Sequence, residues 1–163
     1  MPINTIEWKN DCMRIIDQTK LPLKLEYLDC REVKSVWKAI KELKVRGAPA
    51  IGIAGALGVV LGMKDCPGGG INGFKIKLEQ VIKYLASSRP TAVNLFWALE
   101  RMKRRAYSNL NLSPPKIKEL LLDEALKILE EDKAICRGMA EDGAKLIQDG
   151  DTCLTVCNAG ALA

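Results

Sequence analysis

The chain has 163 residues, 48% of them hydrophobic and 28% charged, with a net charge of +5 from 25 basic and 20 acidic side chains. That apolar share suffices for a packed core and excludes a disordered or collagen-like chain. The longest uncharged run, Gly47–Met63, is 17 residues, short of the roughly 20 that span a bilayer. No N-terminal stretch joins a basic start to an apolar signal core. The expectation is a cytoplasmic protein that does not enter a membrane.

The first 30 residues read as β-structure. Leu23, Leu25 and Tyr27 alternate with Lys24 and Glu26, the period of a half-buried strand. Arg14-Ile15-Ile16 is its expected partner across the Asp17–Pro22 turn, and Thr5–Trp8 a third strand. After Asp29 the period lengthens. Val33, Val36, Trp37, Ile40 and Leu43 predict a helix over Arg31–Lys44. Ala50–Met63 is apolar on every side and rich in glycine and alanine. A helix of that kind belongs in the interior, where small residues let neighbours approach. Asp65–Gly70 reads as a loop. Leu78, Val81, Ile82 and Leu85 mark the next helix, and Ala92, Leu95, Phe96, Leu99 and Met102 another. Ser113 before Pro114 reads as an N-cap with proline at N1, opening a long helix towards Gln148 that Gly138 or Gly143 could break.

Asp149-Gly150-Asp151 is a turn, Thr152–Val156 a predicted β-branched strand, and Cys157-Asn158-Ala159-Gly160 a small-residue turn beyond it. Strand, tight turn and helix start is how α/β phosphate-binding units begin. A lone parallel-type strand lacks a ladder partner, so a second α/β domain is expected after it. The predicted organisation is therefore α+β: antiparallel strands and a helical bundle over residues 1–150, then residues 151–163 as the first strand and loop of a Rossmann-like domain that is absent.

The densest basic patch, Arg101, Lys103, Arg104 and Arg105, sits at a helix end. It reads as a solvated terminus complementing the dipole. With three Trp, three Tyr and two Phe, and no longer basic stripe, the chain does not look like a nucleic-acid binder. Six cysteines occur without a C-x-x-C spacing and without any histidine, so a structural zinc site is not expected. The cysteines read as reduced thiols, with Cys136 and Cys153 as small buried hydrophobes. Acid–base chemistry without histidine falls to Asp, Glu, Cys, Lys or Tyr.

Three places share one design, the third being Cys157-Asn158-Ala159-Gly160 at a predicted strand end before an expected helix. Val45-Arg46-Gly47-Ala48-Pro49 puts an arginine and a flexible glycine ahead of the apolar helix, and Ser88-Arg89-Pro90-Thr91 puts an arginine ahead of the next helix start but one. Helix N-termini offer free N–H groups to phosphate, arginine adds a bidentate fork, and glycine lets the backbone come close. Alone, each motif reads more simply as a covered helix end. The pair leaves that reading and a phosphate site as open alternatives. Cys157 differs from the other cysteines in lying at a predicted strand end beside a helix start, a setting that can lower a thiol pKa.

Three runs carry a family resemblance: V-R-G-A-P-A-I-G-I-A-G-A-L-G-V-V-L-G (45–62), R-P-T-A-V-N-L-F-W-A-L-E-R-M (89–102) and C-N-A-G-A-L-A (157–163). They resemble the signatures of the methylthioribose-1-phosphate isomerase family, whose superfamily includes ribose-1,5-bisphosphate isomerase and regulatory subunits of the translation-initiation nucleotide exchange factor. The resemblance implies a cofactor- and metal-free enzyme of methionine salvage. It would convert 5-methylthioribose 1-phosphate to 5-methylthioribulose 1-phosphate, working as a homodimer of longer chains with a C-terminal Rossmann-like domain. It implies substrate-binding roles for Arg46, Gly47, Ala48 and Arg89, and a catalytic role for Cys157. The family's catalytic aspartate, a substrate-binding glutamine and an Asn-Lys pair would lie beyond residue 163, so the chain by itself would be inactive or nearly so. Val156 departs from the family, which commonly has histidine there.

Overall fold

The computed structural model describes residues 3–66, 70–156, 160 and 162. Three antiparallel strands come first, β1 (Ile6–Lys9), β2 (Cys12–Ile16) and β3 (Tyr27–Cys30), in the spatial order β1-β2-β3. Lys9 pairs with Cys12 across a two-residue turn, and both turn residues, Asn10 and Asp11, have positive φ (50° and 56°). That is the hairpin geometry Asn and Asp tolerate best after glycine. On the other edge Arg14 lies opposite Asp29, and its guanidinium donates to both carboxylate oxygens at 2.6 and 2.9 Å.

The strand expected over Leu23–Tyr27 begins only at Tyr27. Leu23 is 92% exposed and Leu25 53%. The backbone turns here instead of pairing: Asp17 accepts from the Thr19 N–H and hydroxyl, and the Lys24 N–H donates to the Lys20 carbonyl. Alternating residues gain nothing from a ladder that this turn prevents from forming.

Five α-helices follow among the described residues: α1 (Val33–Lys41), α2 (Ala48–Met63), α3 (Gly70–Ala86), α4 (Val93–Tyr107) and α5 (Pro114–Ala144). The helix α1 ends in a six-to-one turn, with the Lys44 N–H on the Ala39 carbonyl and the Leu43 N–H on that of Ile40. Leu43 takes the left-handed position (φ 60°) where glycine is usual.

The centre of the fold is α2, which packs against all four other helices and against β1 and β2. From Ile51 to Met63 every residue is buried. Its small residues make the close approaches possible. A Cβ at Gly52 would sit 2.9 Å from the Asn94 carbonyl oxygen of α4, and one at Gly62 would sit 2.6 Å from a Val81 methyl of α3. Around it, α3 contributes Phe74, Leu78, Val81 and Leu85; α4 contributes Leu95, Leu99 and Met102; and α5 contributes Ile117, Leu121, Ala125 and Ile128.

The helix α5 runs unbroken through Gly138 and Gly143 to Ala144. The basic patch on α4 is not a free helix end. Arg101 donates to Glu124 at 2.6 Å and to Glu131 at 3.0 Å, and Lys103 pairs with Glu79 at 2.7 Å. Acidic residues on α5 and α3, distant in sequence, account for the difference. Cys136 and Cys153 are exposed, because α5 leaves the bundle before Cys136. No ladder forms over 151–156, where Leu154 is 99% and Val156 91% exposed. Among the described residues no strand lies alongside to pair with that segment.

Candidate active site

Arg46 follows the buried Val45 in the connection between α1 and α2. Gly47 is the N-cap of α2, at φ 92° and ψ 135°, a conformation open to glycine and strained for other residues. The Gly47 carbonyl accepts the first helical bond, from the Ile51 N–H at 3.0 Å. No side chain caps this terminus. The N–H groups of Ala48 and Ala50 have no partner within the helix, and Pro49 has none to offer.

The second arginine reaches the same place from the connection between α3 and α4. Ser88, 1% exposed, donates its hydroxyl to the Leu85 carbonyl and closes α3. Arg89 follows, half-buried, and its carbonyl accepts from the Ala92 N–H at 3.1 Å. Ala92 is the N-cap of α4, again with no side-chain cap.

These two termini converge on a cleft of about 710 Å³ whose walls include Arg46, Gly47, Ala48, Arg89, Thr91 and Asn94. The four substrate-site residues expected from sequence are thus brought together from positions 46–48 and 89. No wall residue is acidic. Among the described residues neither arginine pairs with a carboxylate. Two cations and two helix N-termini facing one cavity with no counter-charge create a site suited to a dianion. The open edge is apolar, formed by Leu43 and Val93, 44% and 78% exposed.

A smaller cavity of about 310 Å³ adjoins the cleft, sharing Pro49 and Asn94 with it. Its other walls come from α2, α4 and α5, and include Trp97 and Asp132. Sequence reading overlooked Thr91, Asn94, Trp97 and Asp132. Thr91 and Asn94 were within reach, since both stand in the run that begins at Arg89. Asp132 carries no local signal, because only the packing of α5 brings it to this wall.

Cys157, the expected catalytic thiol, lies outside the described residues, as do Asn158 and Ala159. Among the described residues no group of three or more Cys, Asp or Glu could hold a metal ion, and no helix is long and apolar enough to cross a membrane.

The sequence model of the initiation factor 2 subunit family matches residues 44–163, from just before Arg46 to the last residue. The chain belongs to this family. Within it, the chain is 50% identical over 162 residues to a protein of Moorella thermoacetica named 5-deoxyribose 1-phosphate isomerase. It is 48% identical over 163 residues to the methylthioribose-1-phosphate isomerase of Geobacter metallireducens. These alignments cover 99% and 100% of the chain but 46% and 47% of the relatives, so it spans about half their length. Among solved structures it resembles 5-methylthioribose 1-phosphate isomerase from Pyrococcus horikoshii OT3. The TM-score is 0.92 at 38% identity, covering 99% of this chain and 45% of that one. It also resembles the translation initiation factor eIF-2B subunit delta from A. fulgidus, at TM-score 0.87 and 46% identity over 98% and 46% of the two chains. The three strands and helical bundle described above are thus the N-terminal part of the fold of this initiation factor 2 subunit family.

Proposed function

We propose that the intact protein is a sugar-phosphate isomerase acting on a 5-deoxy or 5-methylthio pentose 1-phosphate. The observation that carries this reading is the cleft, where Arg46, Arg89 and two uncapped helix N-termini meet without a carboxylate. The relatives named as isomerases agree with it. An aldose 1-phosphate has its anomeric oxygen esterified, so its ring does not open spontaneously. Conversion to the ketose breaks the bond between C1 and the ring oxygen, with a proton delivered to that oxygen. The hydrogen on C2 moves to C1, formally with its bonding electrons, and the C2 hydroxyl loses its proton as the carbonyl forms. The phosphate stays on O1 throughout.

In this reading Arg46 and Arg89, with the N–H groups at Gly47 and Ala48, hold the phosphate. Cys157 is one acid–base group. The second is a carboxylate outside these 163 residues, since proton delivery and proton removal need groups tuned apart. Residues 1–150 form the first domain and 151–163 open a second. The intact protein works as a cytoplasmic homodimer without metal or cofactor.

The test is turnover of 5-methylthioribose 1-phosphate by the intact protein, followed by phosphorus NMR. The expected result is ketose 1-phosphate from the intact protein and little or none from residues 1–163. Arg46→Ala and Arg89→Ala are each expected to raise KM about tenfold to a hundredfold, from loss of a charge-assisted contact. Unaltered affinity in both variants overturns the reading. The likeness to the A. fulgidus factor supports a second reading, a regulatory subunit without catalysis. It predicts sugar-phosphate binding without turnover.

A further inference from the structure

The two arginines of the cleft hang from different helices, and one contact ties those helices together outside the core. Its bearing on anion binding rests on the reading of the cleft as the 1-phosphate site. Arg46 follows α1 and Arg89 follows α3. Each connection is fixed to the helix it leaves. On the first, the Lys44 and Val45 N–H groups both return to the Ala39 carbonyl, and the Lys44 carbonyl accepts from the Gln18 N–H at 3.0 Å. On the second, the hydroxyls of Ser87 and Ser88 donate to the Tyr84 and Leu85 carbonyls at 2.7 and 2.6 Å. The separation of the two guanidinium groups then depends on how α1 sits against α3.

Core packing brings these helices together over α2. A Cβ at Gly58 would lie 2.9 Å from a Val36 methyl of α1 and 3.0 Å from a Leu85 methyl of α3. Apolar contact is non-directional, so it fixes proximity and leaves register soft. Trp37, the residue after Val36, supplies a direction. Its indole N–H donates to the Ser87 hydroxyl at 3.0 Å, 50 residues away along the chain. Its half-buried ring stacks on Tyr84, with centroids 5.7 Å apart and planes inclined by 26°. Tryptophan has this one N–H to give. Ser87 accepts it and passes its own proton to the Tyr84 carbonyl. One chain of hydrogen bonds thus runs from α1 to the last turn of α3, ending two residues before Arg89.

We propose that Trp37 and Ser87 are positioning residues for anion binding, and that the bond between them holds Arg46 and Arg89 at the separation at which both reach one phosphate. Neither residue lines the cleft, so both act through the arginines. Two forks preset about one place bind a phosphate without first being ordered. Loss of the bond lets α1 and α3 shift against each other, and the phosphate then meets one fork well and the other poorly.

The experiment uses the intact protein and 5-methylthioribose 1-phosphate, with KM, kcat and Tm measured for each variant. Trp37→Phe keeps the stack on Tyr84 and removes the N–H, and Ser87→Ala removes its acceptor. Each is expected to raise KM about fivefold, the scale of one neutral hydrogen bond, and to change kcat less than about twofold. The double variant should be no worse than either single one, since both remove the same bond. Ser87→Thr keeps a hydroxyl and should restore KM to within about twofold of the parent. The Arg89→Ala background decides between positioning and stability. There Trp37→Phe should leave KM where Arg89→Ala alone puts it, because the fork it positions is gone. A Trp37→Phe factor that multiplies that of Arg89→Ala in full overturns the proposal, as does a fall in Tm with KM at the parent value. The two levels fail separately. If Arg46→Ala and Arg89→Ala raise KM while Trp37→Phe and Ser87→Ala do not, the 1-phosphate site stands and the brace falls. If neither arginine variant alters KM, the 1-phosphate reading falls and takes the brace with it.

Discussion

Replacing Gly52 with alanine tests how tightly the central helix is locked to its neighbour. The new Cβ would lie 2.9 Å from the Asn94 carbonyl oxygen, 3.4 Å from its carbon and 3.5 Å from the Asn94 Cβ. The nearest atom is backbone, so no rotamer change relieves the clash. The helices α2 and α4 must part by several tenths of an ångström along a packed seam. Overpacking of this kind costs about 1–3 kcal/mol, against roughly 1 kcal/mol regained from the better helix propensity of alanine. The net expectation is a loss of about 1 kcal/mol, or about 2–4 °C in Tm for a chain of this size. Gly138 supplies the contrast, since a Cβ there meets nothing within 4 Å. Gly138→Ala should show the propensity gain alone, raising Tm by a comparable amount. Thermal melts followed at 222 nm on the two variants give the comparison. If Gly52→Ala raises Tm as Gly138→Ala does, the close approach of α2 to α4 is wrong.

Acid sensitivity follows from the ion pairs. Hydrogen bonds from Arg14, Lys103 and Arg101 hold Asp29, Glu79 and Glu131 below the usual carboxylate range. Their stabilisation is present above the unfolded carboxylate pKa, about 4, and is lost as pH falls through the depressed folded values. Urea midpoints measured from pH 6 to pH 2 should fall mainly below pH 4.5, and Arg101→Met should flatten part of that slope. A slope identical in parent and variant removes Arg101 from the account. Thiol labelling gives an independent check of burial. The Cys30 thiol is buried and pushed up to about 11 by desolvation, whereas Cys136 and Cys153 are exposed. Iodoacetamide at pH 8 followed by peptide mass mapping should modify Cys136 and Cys153 first and Cys30 last.

The helices were readable from sequence because each buries one stripe, and the interior position of α2 followed from its having no polar face. The hairpin partner Arg14-Ile15-Ile16 was legible for the same reason. Leu23–Tyr27 misled because alternation reports a period and not the presence of a pairing edge, and the turn before it removes that edge. Arg101, Lys103, Cys136 and Cys153 were misread because their surroundings are set by helices 23 or more residues away or by the point where α5 leaves the bundle. The cleft was the more accessible part. Arg46 and Arg89 each stand just before a helix start, and two such starts on neighbouring helices converge once α2 and α4 cross. The smaller cavity was not accessible, since it borrows a wall from the middle of α5.

The length of α5 has a consequence for the timing of local opening. Its 31 residues extend about 46 Å at 1.5 Å per residue. The first half buries Ile117, Leu121, Ala125, Ile128 and Leu129. Beyond Asp132 its side chains lie largely in solvent, including Ile135 and Met139. A helix gripped at one end opens from the other, and amide exchange reads that gradient residue by residue. Amides around Leu121 and Ala125 should exchange only with global unfolding, over the longest times. Those from Cys136 to Ala144 should exchange by local fraying, orders of magnitude sooner. Asp132 and Ile135 sit where the two regimes meet, so the wall of the smaller cavity lies on the boundary between the slow and the fast parts of one continuous helix.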